Sequence, residues 1–249
     1  MQSVYWLEQA DADVPESDAW MCKTELARLS QLQIPKRRRD WRLGRWTAKL
    51  AFACLSDWSS DFERLARIEV CPAKSGAPEL FVDQVPVPLA ISISHRNGLS
   101  ACAIARSSMA LGCDLEWIEP HGAAFISEYF TRSEQNFIQQ NGEANRNLLI
   151  TLLWSAKERA LKALHEGLRL DTRSVEITLR ENSEKLRQIW NPLAVRNQNG
   201  AAYSGWWQSN ANFVRTIVTA PDCAAPVDIT PSLSLRMVKA PREASCERA

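Results

Sequence analysis

No C-x-x-C pair and no close Cys/His cluster occurs among the seven cysteines, which stand at positions 22, 54, 71, 102, 113, 223 and 246. That scatter argues against a zinc site and a disulfide framework, and it predicts reduced thiols in a cytoplasmic protein. Net charge is nearly absent as well: 30 basic residues face 29 acidic ones, a formal charge of +1. No global field therefore recruits nucleic acid or an anionic membrane, and any anion site has to be local. The N-terminus lacks a basic region followed by a long apolar run, and the longest apolar stretches fall far short of a membrane span. What the chain does have is 249 residues, 45% of them hydrophobic, and ten tryptophans. That suffices for a proper core in one large domain or two smaller ones.

Taken in order, residues 3–8 are β-prone, a loop follows through Asp11, Asp13, Pro15 and Ser17, and residues 18–30 carry helical spacing. Ile34-Pro35 opens a second helix to about Leu55, with proline in its first turn. Leu43, Trp46, Leu50 and Ala53 form its apolar stripe, beside a basic stripe of Arg38, Arg42, Arg45 and Lys49. Such a stripe suits either a solvated cationic face or a phosphate-rich ligand. Phe62 to Pro88, rich in proline, reads as a loop with one short strand around Leu80 to Val82.

Leu89 to Ser94 alternates with Ile91 and Ile93 on one face, Asn97-Gly98 is a hairpin turn, and Leu99 to Ala105 returns. Met109 to Ile118 would complete a three-stranded meander. Thr131-x-x-Glu134 fits a capping box, Asn141-Gly142 breaks that helix, and Leu152 to Leu164 forms another. Beyond Gly167, read as a C-cap, β-prone runs recur at 174–180, 203–208, 213–219 and 233–238, and the tail after Met237 reads as frayed. The pattern predicts an α+β protein of two similar halves, residues 1–119 and 120–249, with no letter-by-letter repeat and the functional residues at their junction.

The chemistry concentrates in two stretches. On a strand, Asp114 and Glu116 point the same way, while Leu111, Cys113, Leu115 and Trp117 fill the opposite face. On a helix, Trp154, Glu158 and Lys162 share one face. Three carboxylates can thus converge, and hard oxygen ligands of that kind are what Mg²⁺ prefers. The plainer alternatives are a solvent-facing edge strand for Asp114 and Glu116, a surface ladder Glu158-Lys162-Glu166, and a polar turn residue at His95. Trp154 reads as a packing anchor.

Taken together, Ser94-His95, Gly112-Cys113-Asp114-Leu115-Glu116, Tyr129-Phe130-Thr131-x-x-Glu134 and Trp154-Ser155-Ala156-Lys157-Glu158-Arg159-Ala160-Leu161-Lys162 resemble the 4′-phosphopantetheinyl transferases of the pseudo-dimeric, surfactin-synthetase-activating class. The resemblance implies a monomer of two pseudo-twofold halves, and Mg²⁺-dependent transfer of phosphopantetheine from coenzyme A to a serine of an acyl, peptidyl or aryl carrier protein. Asp114 and Glu116 would hold the metal, and Glu158 would complete the site or take the serine proton. Lys157 and Lys162 would neutralise phosphate oxygens, and Ser94-His95 would approach the pyrophosphate, with His95 donating to it. Arg38, Arg42 and Arg45 would bind the nucleotide and its 3′-phosphate.

Two departures from the family pattern stand out. Gly76-Ala77-Pro78 occupies the place of a common Gly-Lys-Pro, with Lys74 as a substitute cation, and Arg159 replaces the usual alanine, a change tolerated if it faces solvent. The altered Gly76-Ala77-Pro78 stretch is the one support for an alternative, a non-catalytic module of the same fold that binds carrier protein or coenzyme A. The short run Lys36-Arg37-Arg38-Arg39 gives nucleic-acid binding little support.

Overall fold

The computed structural model describes residues 2–58, 60–106, 108–163, 171–179, 190–198, 200, 202–210 and 212–230. The chain begins with strand β1 (Tyr5–Ala10), helix α1 (Lys23–Ser30), the long helix α2 (Pro35–Leu55) and a short helix α3 (Phe62–Leu65). Strands β2 (Ile68–Pro72), β3 (Pro78–Val82), β4 (Val85–Pro86), β5 (Leu89–Arg96), β6 (Leu99–Arg106) and β7 (Ala110–Trp117) follow. Helices α4 (Ala123–Tyr129), α5 (Arg132–Gln140) and α6 (Arg146–Ala163) lead to β8 (Val175–Leu179), β9 (Asn191–Asn197), β10 (Ala202–Ser209), β11 (Phe213–Ala220) and β12 (Val227–Asp228). Helices packed on antiparallel sheets make this an α+β fold. The Gly167 cap, the run 233–238 and the tail after Met237 lie outside the described residues.

Several local expectations change. The first helix starts at Lys23 rather than 18, because Met21 N–H closes a turn onto the Asp18 carbonyl and Cys22 is extended. The segment 62–88 is not a loop with one strand: it holds α3 and a three-stranded sheet, β2-β3-β4. The Asn97-Gly98 turn forms as its residue types demand, with φ of 50° and 75°. The acidic strand does not continue that hairpin into a meander. One sheet runs β12-β1-β6-β5 and the other runs β7-β11-β10-β9-β8, so β7 pairs with β11, Asp114 opposite Thr216. The division at 119/120 therefore does not coincide with the division between the sheets.

Side-chain alternation explains the layering. On β1 and β6, Leu7, Cys102 and Ile104 pack against α2, while Trp6, Ala101, Ala103 and Ala105 face the second sheet. There they meet Cys113 and Leu115 of β7 and Ile217 of β11. The opposite face of the second sheet, with Leu193, Val195 and Val218, packs on α6. The order is helix, sheet, sheet, helix, and it turns the Asp114 side of β7 towards α6.

A buried lysine–glutamate ion pair lies under each long helix. Lys49 of α2 lies 2.5 Å from Glu25 and donates to the carbonyls of Trp20 and Leu65. Lys157 of α6 lies 2.8 Å from Glu134 and donates to the carbonyls of Thr172 and Val175. Each glutamate also accepts the N–H of the residue just before its own helix, Cys22 or Thr131, and a strand N–H, Val70 or Ile177. The two lysines sit in matching tetrapeptides, Trp46-Thr47-Ala48-Lys49 and Trp154-Ser155-Ala156-Lys157, so a short letter repeat does exist. Removing one member strands a charge in the core. Lys49→Met is expected to destabilise the fold by about 3–5 kcal/mol in denaturant titration.

Candidate active site

Three carboxylates converge where β7, β5 and α6 meet. Asp114, Glu116 and Glu158 offer oxygens that all lie within 4.8 Å of one another. Close approach of β7 to α6 makes this possible: a Cβ on Gly112 would stand 2.8 Å from the Arg159 carbonyl oxygen, so only glycine fits.

Asp114 is 1% exposed and sits among polar partners. Its Oδ1 accepts from Ser94 Oγ at 2.8 Å, and its Oδ2 accepts from Ser155 Oγ at 2.8 Å, while Ser155 also meets Thr216 Oγ1 at 2.7 Å. The solvent-facing reading of this strand fails on that burial. The seam itself is stitched by Ser92 of β5, whose Oγ accepts the Cys113 N–H at 2.9 Å.

Glu116 is less well compensated. Burial first, then the charges of Asp114 and Glu158, push its carboxyl up to about 7, against the opposing pull of Arg96 and Arg159. Arg96 lies 3.5 Å from Glu116 and 2.9 Å from Glu119. Burial and the neighbouring carboxylates both disfavour the charged form of Glu116, and a divalent cation held by the three carboxylates would favour it. The donor set, three carboxylates with no thiolate or imidazole, fits Mg²⁺.

The remaining expected site residues divide. Lys162 stays at the cluster, 47% exposed and 3.9 Å from Glu158. Its pKa is lowered by burial and by Arg159. His95 sits exposed at the rim, its Nε2 3.8 Å from Asp40. Burial by the surrounding chain lowers its pKa, and among the nearby charges Lys36 and Arg45 add to that lowering. Arg45 stacks on Trp41, 4.4 Å from the ring centroid, and its buried Nε has no hydrogen-bond partner.

Arg42 is committed to the 15–18 segment, donating to Asp18 Oδ1 and to the carbonyls of Pro15 and Glu16. Arg38 donates to the Leu29 carbonyl and lies 3.7 Å from Asp18. Lys74 is exposed in the turn between β2 and β3.

Three expectations require correction. Lys157 is no phosphate clamp: it is fully buried, and its ammonium protons go to Glu134, Thr172 and Val175. Lys49 likewise leaves the basic stripe for the core. Arg159 does not face solvent. It is 6% exposed, and its guanidinium lies 2.8 Å from Glu158 and 3.2 Å from Asp114. Ser155 and Thr216 were missed. The Trp-Ser-Ala-Lys and Trp-Thr-Ala-Lys pair marked the first of these as a special position, while Thr216 carried no signal before the pairing of β7 with β11 was known. Trp154 is the anchor expected of it, packed edge-on against Phe125 and Tyr129 at 5.0 Å.

Residues 110–218 match the family model of the 4′-phosphopantetheinyl transferase superfamily. The chain is also similar to the 4′-phosphopantetheinyl transferase HetI of Nostoc sp. strain PCC 7120, at 22% identity over 167 residues that cover 65% of this chain and 67% of that protein. The family match begins at the first residue of β7 and takes in Asp114, Glu116, Ser155 and Glu158, but not Ser94, His95 or α2.

The raised Glu116 carboxyl has a thermodynamic signature. A folded-state pKa of about 7 above an ordinary 4.5 means that the folded protein binds the extra proton between those values. In chelator, stability is therefore expected to fall as pH rises from 4.5 through 7, by at most roughly 3 kcal/mol, and Glu116→Gln should flatten that slope. Thermal melts of both proteins across the range measure it.

Proposed function

We propose that the protein transfers 4′-phosphopantetheine from coenzyme A to a serine hydroxyl of an apo carrier protein, releasing adenosine 3′,5′-bisphosphate. The reading rests on one observation above all: Asp114, Glu116 and Glu158 gather at the β5–β7–α6 seam, with Ser94 of β5 bonded to Asp114. The family match over 110–218 and the similarity to HetI point the same way.

Asp114, Glu116 and Glu158 would hold Mg²⁺, which when bound neutralises charge on the pyrophosphate of coenzyme A and on the leaving phosphate. The protein's own groups supply position and charge. Ser94 and Ser155 hold both oxygens of Asp114 in place. His95, with its pKa lowered, presents a neutral imidazole whose N–H donates to a phosphate oxygen. Lys162, half-exposed at the cluster, offsets the charge of the transferred phosphoryl group.

Glu158 Oε2 faces Arg159 and Lys162, which leaves Oε1 to the ion or to the serine proton. Arg45 and the partly exposed Arg38 form the nucleotide side. The partly exposed aromatics Phe125 and Tyr129 of α4 lie next to Trp154 and suit an apolar contact with the carrier. Among the described residues no helix is long and apolar enough to cross a membrane, and free thiols at Cys22, Cys71, Cys102, Cys113 and Cys223 suit the reducing cytoplasm.

Incubation with coenzyme A, Mg²⁺ and a panel of apo carrier proteins should raise the mass of at least one carrier by a phosphopantetheine group. Asp114→Ala and Glu158→Gln should each lower the rate roughly 100-fold or more without changing the circular dichroism spectrum. Folded wild type that modifies no carrier in the panel, or full turnover in both variants, would remove the proposal.

A further inference from the structure

Arg159 places a fixed positive charge among the carboxylates. Its Nη1 donates to the Cys113 carbonyl at 3.1 Å, and its Nη2 lies 2.8 Å from Glu158 Oε2 and 3.2 Å from Asp114 Oδ1. Its Nε is buried without a hydrogen-bond partner. The side chain is held from both ends. Contact with Gly112 fixes its backbone against β7, and Asp114 is pinned from its other sides by Ser94 and Ser155. Arg159 is the cation buried between Asp114 and Glu158, while Arg96 and Lys162 approach the cluster from its more exposed side, 3.5 Å from Glu116 and 3.9 Å from Glu158.

We propose that Arg159 is a resident counter-ion that shares Asp114 and Glu158 with the metal, keeping the cluster folded when no ion is bound and lowering its affinity for one. The inference rests on the metal role given to this cluster above. A cation within hydrogen-bonding distance of two ligand carboxylates repels an incoming cation and draws electron density from the oxygens that would bind it. It also spares the metal-free protein the cost of leaving the buried Asp114 carboxylate without a cation.

Calorimetric titration of Mn²⁺ and of Mg²⁺ into wild type, Arg159→Met and Arg159→Lys tests it. Arg159→Met, which keeps the apolar bulk and loses the charge, should bind roughly tenfold more tightly. It should also melt lower than wild type in chelator and gain more from added metal. Arg159→Lys should bind like wild type. Equal or weaker binding by folded Arg159→Met overturns the proposal while leaving the metal site intact, whereas no binding by either protein overturns both.

Should Arg159→Met fail to fold, nitrogen-15 spectra of wild type give an independent reading. The buried Arg159 Nε–H resonance, identified by its loss in Arg159→Lys, should shift as Mg²⁺ saturates the site. A resonance that stays in place while metal binds sinks the idea.

Discussion

A buried lysine with its glutamate is the constraint from which each half of this molecule is built. Taking two charges out of water is costly, and attraction between them offsets that cost only when their remaining protons and lone pairs are also satisfied. Lys49 and Lys157 each use two further carbonyls, and Glu25 and Glu134 each use two further amides. Those partners come from the helix start before the long helix and from the chain entering the first strand after it. The pair thus acts as a register pin: α1, α2 and β2 in one half, and α5, α6 and β8 in the other, meet in the one arrangement that leaves no charge alone.

With that scaffold duplicated, the two copies diverge at the positions that follow it. After Trp-Thr-Ala-Lys the first copy continues with Leu50 and Ala51, both buried and apolar; after Trp-Ser-Ala-Lys the second continues with Glu158 and Arg159. Thr47 spends its hydroxyl on the Leu43 carbonyl of its own helix, whereas Ser155 turns outward to Asp114 and Thr216. The acidic chemistry therefore belongs to the second copy alone. The first copy contributes Ser94 from β5, across the seam. Neither half holds the full set of side chains.

Much of this was legible in the residues. Alternation set the face of β7 that carries Asp114 and Glu116, helical spacing brought Glu158 and Lys162 together, and the Thr131–Glu134 capping box formed as its residue types require. What failed was long-range. β7 follows β6 closely enough to suggest a hairpin partner, and only its pairing with β11, a hundred residues later, puts it in the second sheet. The resemblance made Lys157 a phosphate clamp and left Arg159 to be tolerated on a solvent-facing side of the helix. Both lie on buried faces, because α6 is covered by the second sheet on one side and by α5 and the 171–175 segment on another, so their charges turn inward to buried partners. Local pattern names a face, and it takes the tertiary partner to decide whether that face is wet.

The β7–β11 pairing also bears on how the molecule comes into being during synthesis. Asp114 is made early, but in the described fold its strand has no backbone ladder partner until residues 213–220 exist. β1 likewise gains its outer neighbour only when Val227 and Asp228 arrive. Closing loops of that length is slow compared with forming helices and hairpins. A growing chain can therefore complete α2 and the β5–β6 hairpin well before the carboxylates are drawn together. The carboxylate cluster gains its sheet late, when β11 returns to β7.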